Sequence, residues 1–279
     1  MKQRRFLILL LAALAVGGVY TAQQAEAQNR GARRKRILAI GAVNGFQHDS
    51  VSHALATIER LGQQTGLYDT FIRTDTQLVT KKKFRGANIK NLDDFDAVVF
   101  YTTGELDMDP EQRASLLSFV HDDGKGFVGA HSAIDTFYRW PEYGQMLGAY
   151  FDGHPWGTFE APVIVEDREF PATRHFPKAF TIYDEIYQAD SLFSRDNVRV
   201  LARLDENKLD VSKKGVKRAD KDFAVAWAKN YGKGRVFYST FGHPESAWDR
   251  ADVQQMYYEA IRWALGLSKG DATPRPRPN

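Results

Sequence analysis

The chain has 279 residues, a formal net charge of +3 and no cysteine, which excludes disulfides, a thiolate nucleophile and cysteine-bound zinc. Lys2, Arg4, Arg5 and Glu26 account for +2 of that charge, and Arg30, Arg33, Arg34, Lys35 and Arg36 for a further +5, so everything from Ile37 onward carries −4. A mildly acidic body behind a basic leader excludes a nucleic-acid-binding face.

Along the chain, residues 1–27 read as an export signal. A basic start is followed by an uncharged, mostly apolar run from Phe6 to Tyr20 and by the small residues of Ala25-Glu26-Ala27. The apolar run is shorter than the roughly 20 residues a membrane span needs, so cleavage near Ala27 is expected, with retention as an anchor the alternative. Cleavage leaves no stable membrane span and a periplasmic or secreted protein. Residues 28–35 form a basic leader, 36–267 a single domain, and 268–279, rich in Pro and Arg, a disordered tail.

The body opens on Ile37–Ile40, an apolar run stopped by Gly41, as in a strand buried on both faces. Asp49 or Ser50 can cap a helix that carries Val51, Leu55, Ile58 and Leu61 and ends at Gly66. Phe71-Ile72 suggests a second strand and Ala97–Tyr101 a third. Asp109-Pro110-Glu111-Gln112 has the pattern of a capping box with proline in the first turn, and it starts a helix that Gly124 ends. Gly126–Gly129 is the next buried strand. Ala161–Val165, Val198–Leu201, Phe223–Trp227 and Arg235–Tyr238 read as further strands, Asp205–Asp222 as a charged surface loop, and Val253–Leu265 as an amphipathic helix. Strands alternating with helices give an α/β fold with a doubly wound, mostly parallel sheet. Right-handed crossovers bring the loops Ala42–Asp49, Thr102–Asp109 and Ala130–Tyr143 to the carboxyl edge of that sheet, where such folds bind ligands.

His48, His131 and His243 each lie just after an apolar strand or in a glycine-rich turn, and His154 lies in Asp152-Gly-His-Pro-Trp156. Imidazole is both the usual acid–base group near neutral pH and the commonest metal ligand. His131 occupies the strand-to-helix turn where nucleophile-elbow hydrolases carry serine. The flanking glycines of that motif are replaced by Ala130 and Ile134, so Ser132 is not expected to act as a nucleophile. Asp135, four residues on, either orients His131 or caps the helix. Tyr138, Trp140, Tyr143, Tyr150, Phe151 and Trp156 offer faces that could stack on a sugar ring or pack in the core. Of the adjacent carboxylates Asp184 and Glu185, only one can face a site from an extended strand, and Glu185 is favoured. A carbohydrate-binding set would comprise Trp140, His154, Trp156, Glu185 and Tyr187.

The segments GFQHDS (45–50), DAVVFYTTGE (96–105), GKGFVGAHSAIDTFYRWPEYGQMLGAYFDGHPW (124–156), DEIY (184–187) and GKGRVFYSTFGHPESAW (232–248) resemble the ThuA-like, trehalose-utilisation family over roughly Lys35 to Gly266. The resemblance implies a flavodoxin-like, class I glutamine amidotransferase-like fold. It also implies a link to trehalose and to sugars oxidised to 3-keto derivatives. It marks His48, His131, Asp135, His154, Glu185 and His243. Amidotransferases of this fold use a cysteine at the turn, which this chain lacks.

Three functions follow as expectations. The first is an enzyme acting on a sugar or keto-sugar, with His131 as acid–base group, Asp135 beside it and His48 or His243 assisting. The second is a non-catalytic carbohydrate-binding module. In the third, His48, His131, His154 and His243 supply ligands to a divalent metal. No other cofactor is expected, and self-association into a homo-oligomer is left open.

Overall fold

The apolar run at Ile37 is the second-from-edge strand of a long sheet in the computed structural model, which describes residues 34–83 and 90–278. The expected export signal and most of the basic leader lie outside the described residues. Among the described residues no helix is long and apolar enough to cross a membrane.

Strands β1 (Lys35–Ile40), β3 (Tyr68–Arg73), β4 (Ala97–Phe100), β6 (Gly126–Ala130) and β11 (Gly234–Ser239) are parallel to their neighbours in the order β3-β1-β4-β6-β11. That is the 2-1-3-4-5 order of flavodoxin-like sheets. Strands β10 (Ala224–Tyr231), β9 (Arg199–Leu204), β7 (Thr158–Val165) and β8 (Ala179–Glu185) extend it with antiparallel pairings. Two short strands, β2 (Val43–Asn44) and β5 (Thr103–Gly104), pair separately above the carboxyl edge.

Strand β4 is apolar at every position, and β1 from Ile37 onward, because both faces are covered. Ile37 and Ala39 point into one core, with α1 (Ser50–Thr65), α4 (Glu245–Asp249) and α5 (Ala251–Ala264) packed on it. Leu38 and Ile40 point into the other, under α2 (Pro110–His121) and α3 (Pro141–Leu147). Fully burying a Leu, Ile, Val or Phe side chain stabilises by about 1.5–3 kcal/mol, so each strand residue contributes wherever it points. The fold is the expected α/β type, flavodoxin-like in the order of its parallel strands.

Local signals hold in most places. Asp109 and Gln112 make the reciprocal capping box that starts α2, at 2.8 and 3.0 Å. Gly66 ends α1 in a left-handed conformation. Four details depart from the sequence reading. Neither Asp49 nor Ser50 caps α1 through its side chain; Ser50 Oγ turns inward and lies 2.8 Å from the carbonyl oxygens of both Gly242 and His243. The stretch after β6 is a 3-10 turn, His131–Ile134, and α3 begins at Pro141, inside the loop expected to run to Tyr143. Strand β8 is longer than the DEIY segment suggests. The tail expected to be disordered instead lies along the antiparallel half, with Arg275 donating to the Glu166 carbonyl at 2.8 Å, Arg277 paired with Glu206 and Ala272 buried. Its guanidiniums find carboxylates that composition alone does not locate.

Candidate active site

Four consecutive parallel strands deliver side chains to one point at their carboxyl ends. The loop after β1 carries Phe46 and His48. Tyr101 follows β4, His131 follows β6, and His243 lies four residues past β11. The ring centroids of His48 and His131 are 4.8 Å apart, those of His48 and His243 5.1 Å, and those of His131 and His243 5.3 Å.

The turn at His131 is tight. Its φ is +42°, a left-handed conformation uncommon outside glycine, so the chain is held there by its surroundings. Tyr238 Oη donates to the His131 carbonyl at 2.7 Å, and His131 Nδ1 donates to the Thr240 carbonyl at 2.6 Å. Because a carbonyl only accepts, the proton sits on Nδ1 and the Nε2 lone pair faces the cluster. Nε2 lies 3.3 Å from His243 Nδ1 and 3.7 Å from Glu185 Oε2.

The loop with His243 is set by glycine. Gly242 has φ +122°, and a Cβ there would sit 2.5 Å from Trp248 Nε1. Its carbonyl receives Tyr101 Oη at 2.8 Å and Trp248 Nε1 at 3.0 Å.

Strand β8, at the far edge of the sheet order, ends against this loop. Asp184 accepts the backbone N–H of Gly242 at 2.8 Å and of His243 at 3.0 Å. The next residue, Glu185, places Oε2 3.1 Å from His243 Nδ1 and Oε1 3.4 Å from His154 Nδ1. The adjacent carboxylates thus divide the work: Asp184 holds the backbone of the loop and Glu185 meets its imidazole. Tyr187 follows, its Oη 3.2 Å from His48 Nε2 and its N–H donating to Thr240 Oγ1 at 2.9 Å.

Electrostatics sorts these groups. Burial, helped by the charge of His243, lowers the His48 imidazole to about 4. Burial also holds His131 well below its ordinary value, with the His48 charge adding to the effect. His243 is raised, first by its hydrogen bond to Glu185. Burial pushes the Glu185 carboxyl upward, but the His243 bond and the nearby imidazoles outweigh it and keep it below the carboxylate norm. Asp184 is pushed up to about 7 by burial, against its backbone donors. Burial therefore favours the neutral forms of His48 and His131, while the Glu185 carboxylate favours the protonated form of His243.

The remaining expected residues are placed differently. His154, with its side chain 48% exposed, stands at the solvent side of Glu185. Asp135 does not orient His131, since Thr240 occupies that nitrogen; its carboxylate accepts Tyr138 Oη at 2.5 Å. Trp140 is core, packed on Phe137 and Tyr143 and 5% exposed, so its face is not offered to a ligand. Trp156 packs on Phe159 and Phe223, with Nε1 donating to the Asp210 carbonyl at 3.1 Å. Among the described ring pairs, neither tryptophan meets an imidazole. The exposed aromatic ring at the site is instead Phe46, 65% exposed, 4.9 Å from His48 and stacked at 6.5 Å from His243. Phe46 lies within GFQHDS, yet an isolated loop phenylalanine gives no periodic signal. Thr240 acts through its carbonyl, which no sequence pattern reports.

One nitrogen each from His48, His131 and His243 and one oxygen from Glu185 lie within 4.8 Å of one another, a set that could hold a metal ion.

Comparison with known proteins matches the family model described as ThuA, trehalose utilisation, over residues 36–264. A comparison with curated proteins gives no match. Among solved structures, a ThuA-like protein from Bacteroides uniformis is similar with a TM-score of 0.69 at 22% identity, over 84% of this chain and 92% of its own. A ThuA-like protein from Parabacteroides merdae gives 0.64 at 16%, over 87% and 98%. A cytoplasmic protein from Salmonella typhimurium gives 0.51 at 13%, over 82% and 99%. At these identities the likenesses show the fold.

Proposed function

The chain belongs to the ThuA (trehalose utilisation) family, and from that premise we propose that it is an enzyme of sugar metabolism acting on a sugar or 3-keto-sugar. The observation that carries this reading is the meeting of His48, His131 and His243 with Glu185 at the carboxyl edge of the parallel strands. Acid–base assignments follow from neighbouring groups whose pKa values are pushed apart. Here the buried His131 keeps a free Nε2 lone pair, while the bond to Glu185 favours the protonated form of His243. One group can accept a proton and the next can stabilise negative charge on an oxygen, as proton removal beside a carbonyl or cleavage of an oxidised glycoside requires. Exposed Phe46 offers the apolar face of a sugar ring a partner, and His154 borders the same opening.

The leader of residues 1–27 supports an exported setting, and N-terminal sequencing of the mature protein tests cleavage near Ala27. The function is tested by incubating the purified protein with trehalose and with 3-keto-trehalose and identifying products. Conversion of the keto-sugar that is lost in His131→Ala with an unchanged circular dichroism spectrum is the expected result. Conversion unchanged in that variant removes His131 from the reaction.

A further inference from the structure

We propose that His48, His131, His243 and Glu185 form a binding site for one divalent first-row transition-metal ion. Their four ligand atoms lie within 4.8 Å of one another. Donors that share an ion at about 2.0–2.2 Å stand roughly 3 to 4.4 Å apart, so closure of a few tenths of an ångström seats the ion.

Two independent features point to a ligand here. His48, 3% exposed, leaves its Nδ1 buried with no hydrogen-bond partner, beside two other imidazoles. The opposite nitrogen of His131 is bonded to the Thr240 carbonyl, the outer contact that fixes tautomer and ring orientation in metal-ligating histidines. Tyr187 Oη meets His48 Nε2 in a comparable way.

Three imidazole nitrogens and one carboxylate oxygen, with no thiolate, suit zinc, iron, cobalt or manganese rather than magnesium or calcium, which prefer all-oxygen sets. The four donors are brought by three parallel strands and β8, and the open side is bordered by Phe46 and half-exposed His154. An ion that takes more than these four donors would have its remaining positions on that side. The carbonyl and neighbouring hydroxyl of a keto-sugar are oxygen donors of the kind such an ion would accept there, and the ion would supply positive charge beside that carbonyl. This last step rests on the sugar reading; the ion site does not.

The test strips the full-length protein with a chelator and adds Co²⁺ or Zn²⁺ alone. One ion per chain is expected, with a visible d–d absorption for Co²⁺ and a rise in Tm of about 5–10 °C at saturation. Glu185→Gln, nearly isosteric, and His243→Ala, at the less buried imidazole, should each weaken binding by at least tenfold. His53→Ala and His175→Ala, outside the cluster, should leave it unchanged. The proposal is overturned if the stripped protein takes up neither ion stoichiometrically, or if the Glu185→Gln/His243→Ala double variant, folded by circular dichroism, binds as the parent does. One bound ion without keto-sugar turnover supports the site and sinks the sugar reading. Full turnover by stripped protein in chelator sustains the sugar reading and overturns the ion's part in it.

Discussion

The Nδ1 atom of His131 lies 2.6 Å from the carbonyl oxygen of Thr240. Both residues directly follow neighbouring parallel strands, β6 and β11, whose register pairs Ala130 with Ser239. The bond therefore ties the imidazole to the sheet itself, and the tautomer of His131 follows from backbone pairing rather than from a second acidic side chain.

The charge of Glu185 can be removed without changing its size. In Glu185→Gln, His243 loses the bond that raises it, and the cluster loses the carboxylate paired with its imidazoles. Turnover of keto-sugar should fall by about 10²–10⁴. Unfolding by urea should show little change, because the glutamine fills the same space. A kcat within threefold of the parent would place the reaction elsewhere.

Asp184 plays the other part. Its two oxygens accept N–H groups from Gly242 and His243, and an asparagine offers only one acceptor. Asp184→Asn should cost about 1–3 kcal/mol of stability and shift the His243 loop. Chemical denaturation measures the first; a cluster unaltered in the variant's crystal structure would contradict the second.

Gly242 cannot carry a side chain in place. A methyl group would meet the Trp248 ring, at a backbone angle that L residues rarely adopt. Gly242→Ala should destabilise by at least about 1 kcal/mol and reduce activity through displacement of His243. Equal Tm and equal activity in the variant would show that the loop relaxes freely.

The parallel half of the sheet and the three histidines of the cluster are legible in the sequence for one reason. Doubly covered strands are continuous apolar runs, and their ends are punctuated by glycine and histidine. Strand β8 was less legible because exposed Tyr183 and buried Ile182 and Asp184 alternate without an apolar run. Helix α3 is seven residues long inside an aromatic stretch and shows barely two turns of period. The same aromatic density makes Trp140 look open to a ligand, whereas its ring is packed in the core. Glu185 could be preferred over Asp184, but that Asp184 would hold the His243 loop depends on β8 returning to β11 from the far edge of the sheet, which no local pattern encodes.

The antiparallel half is held by a buried ion network. Arg195 donates to Glu166 at 2.8 and 2.9 Å and to Asp222 at 2.6 and 2.8 Å, with its side chain 12% exposed. Removing one partner of a buried pair leaves uncompensated charge and costs about 3–5 kcal/mol. Arg195→Ala should lose stability on that scale in equilibrium denaturation, whereas Arg168→Ala, at an exposed position, should change it by less than about 0.5 kcal/mol. Equal losses in the two variants would mean that the network contributes nothing specific.

Asp96 gives the fold a pH dependence of known sign. Burial works against its charged form, but the Arg36 N–H and the ammonium groups of Lys125 and Lys35 outweigh it and hold the carboxyl below its ordinary 3.8. A carboxyl whose folded pKa is depressed stabilises fully above its unfolded value, and the contribution is lost as pH falls through the folded value. Solvent screening keeps the effect to no more than about 1 kcal/mol. The stability difference between parent and Asp96→Asn should thus be constant from neutral pH down to about 5 and shrink below 3.8, a trend that urea denaturation at several acidic pH values would reveal. A gap that widens on acidification would mean that the two lysines are not what holds this carboxylate charged.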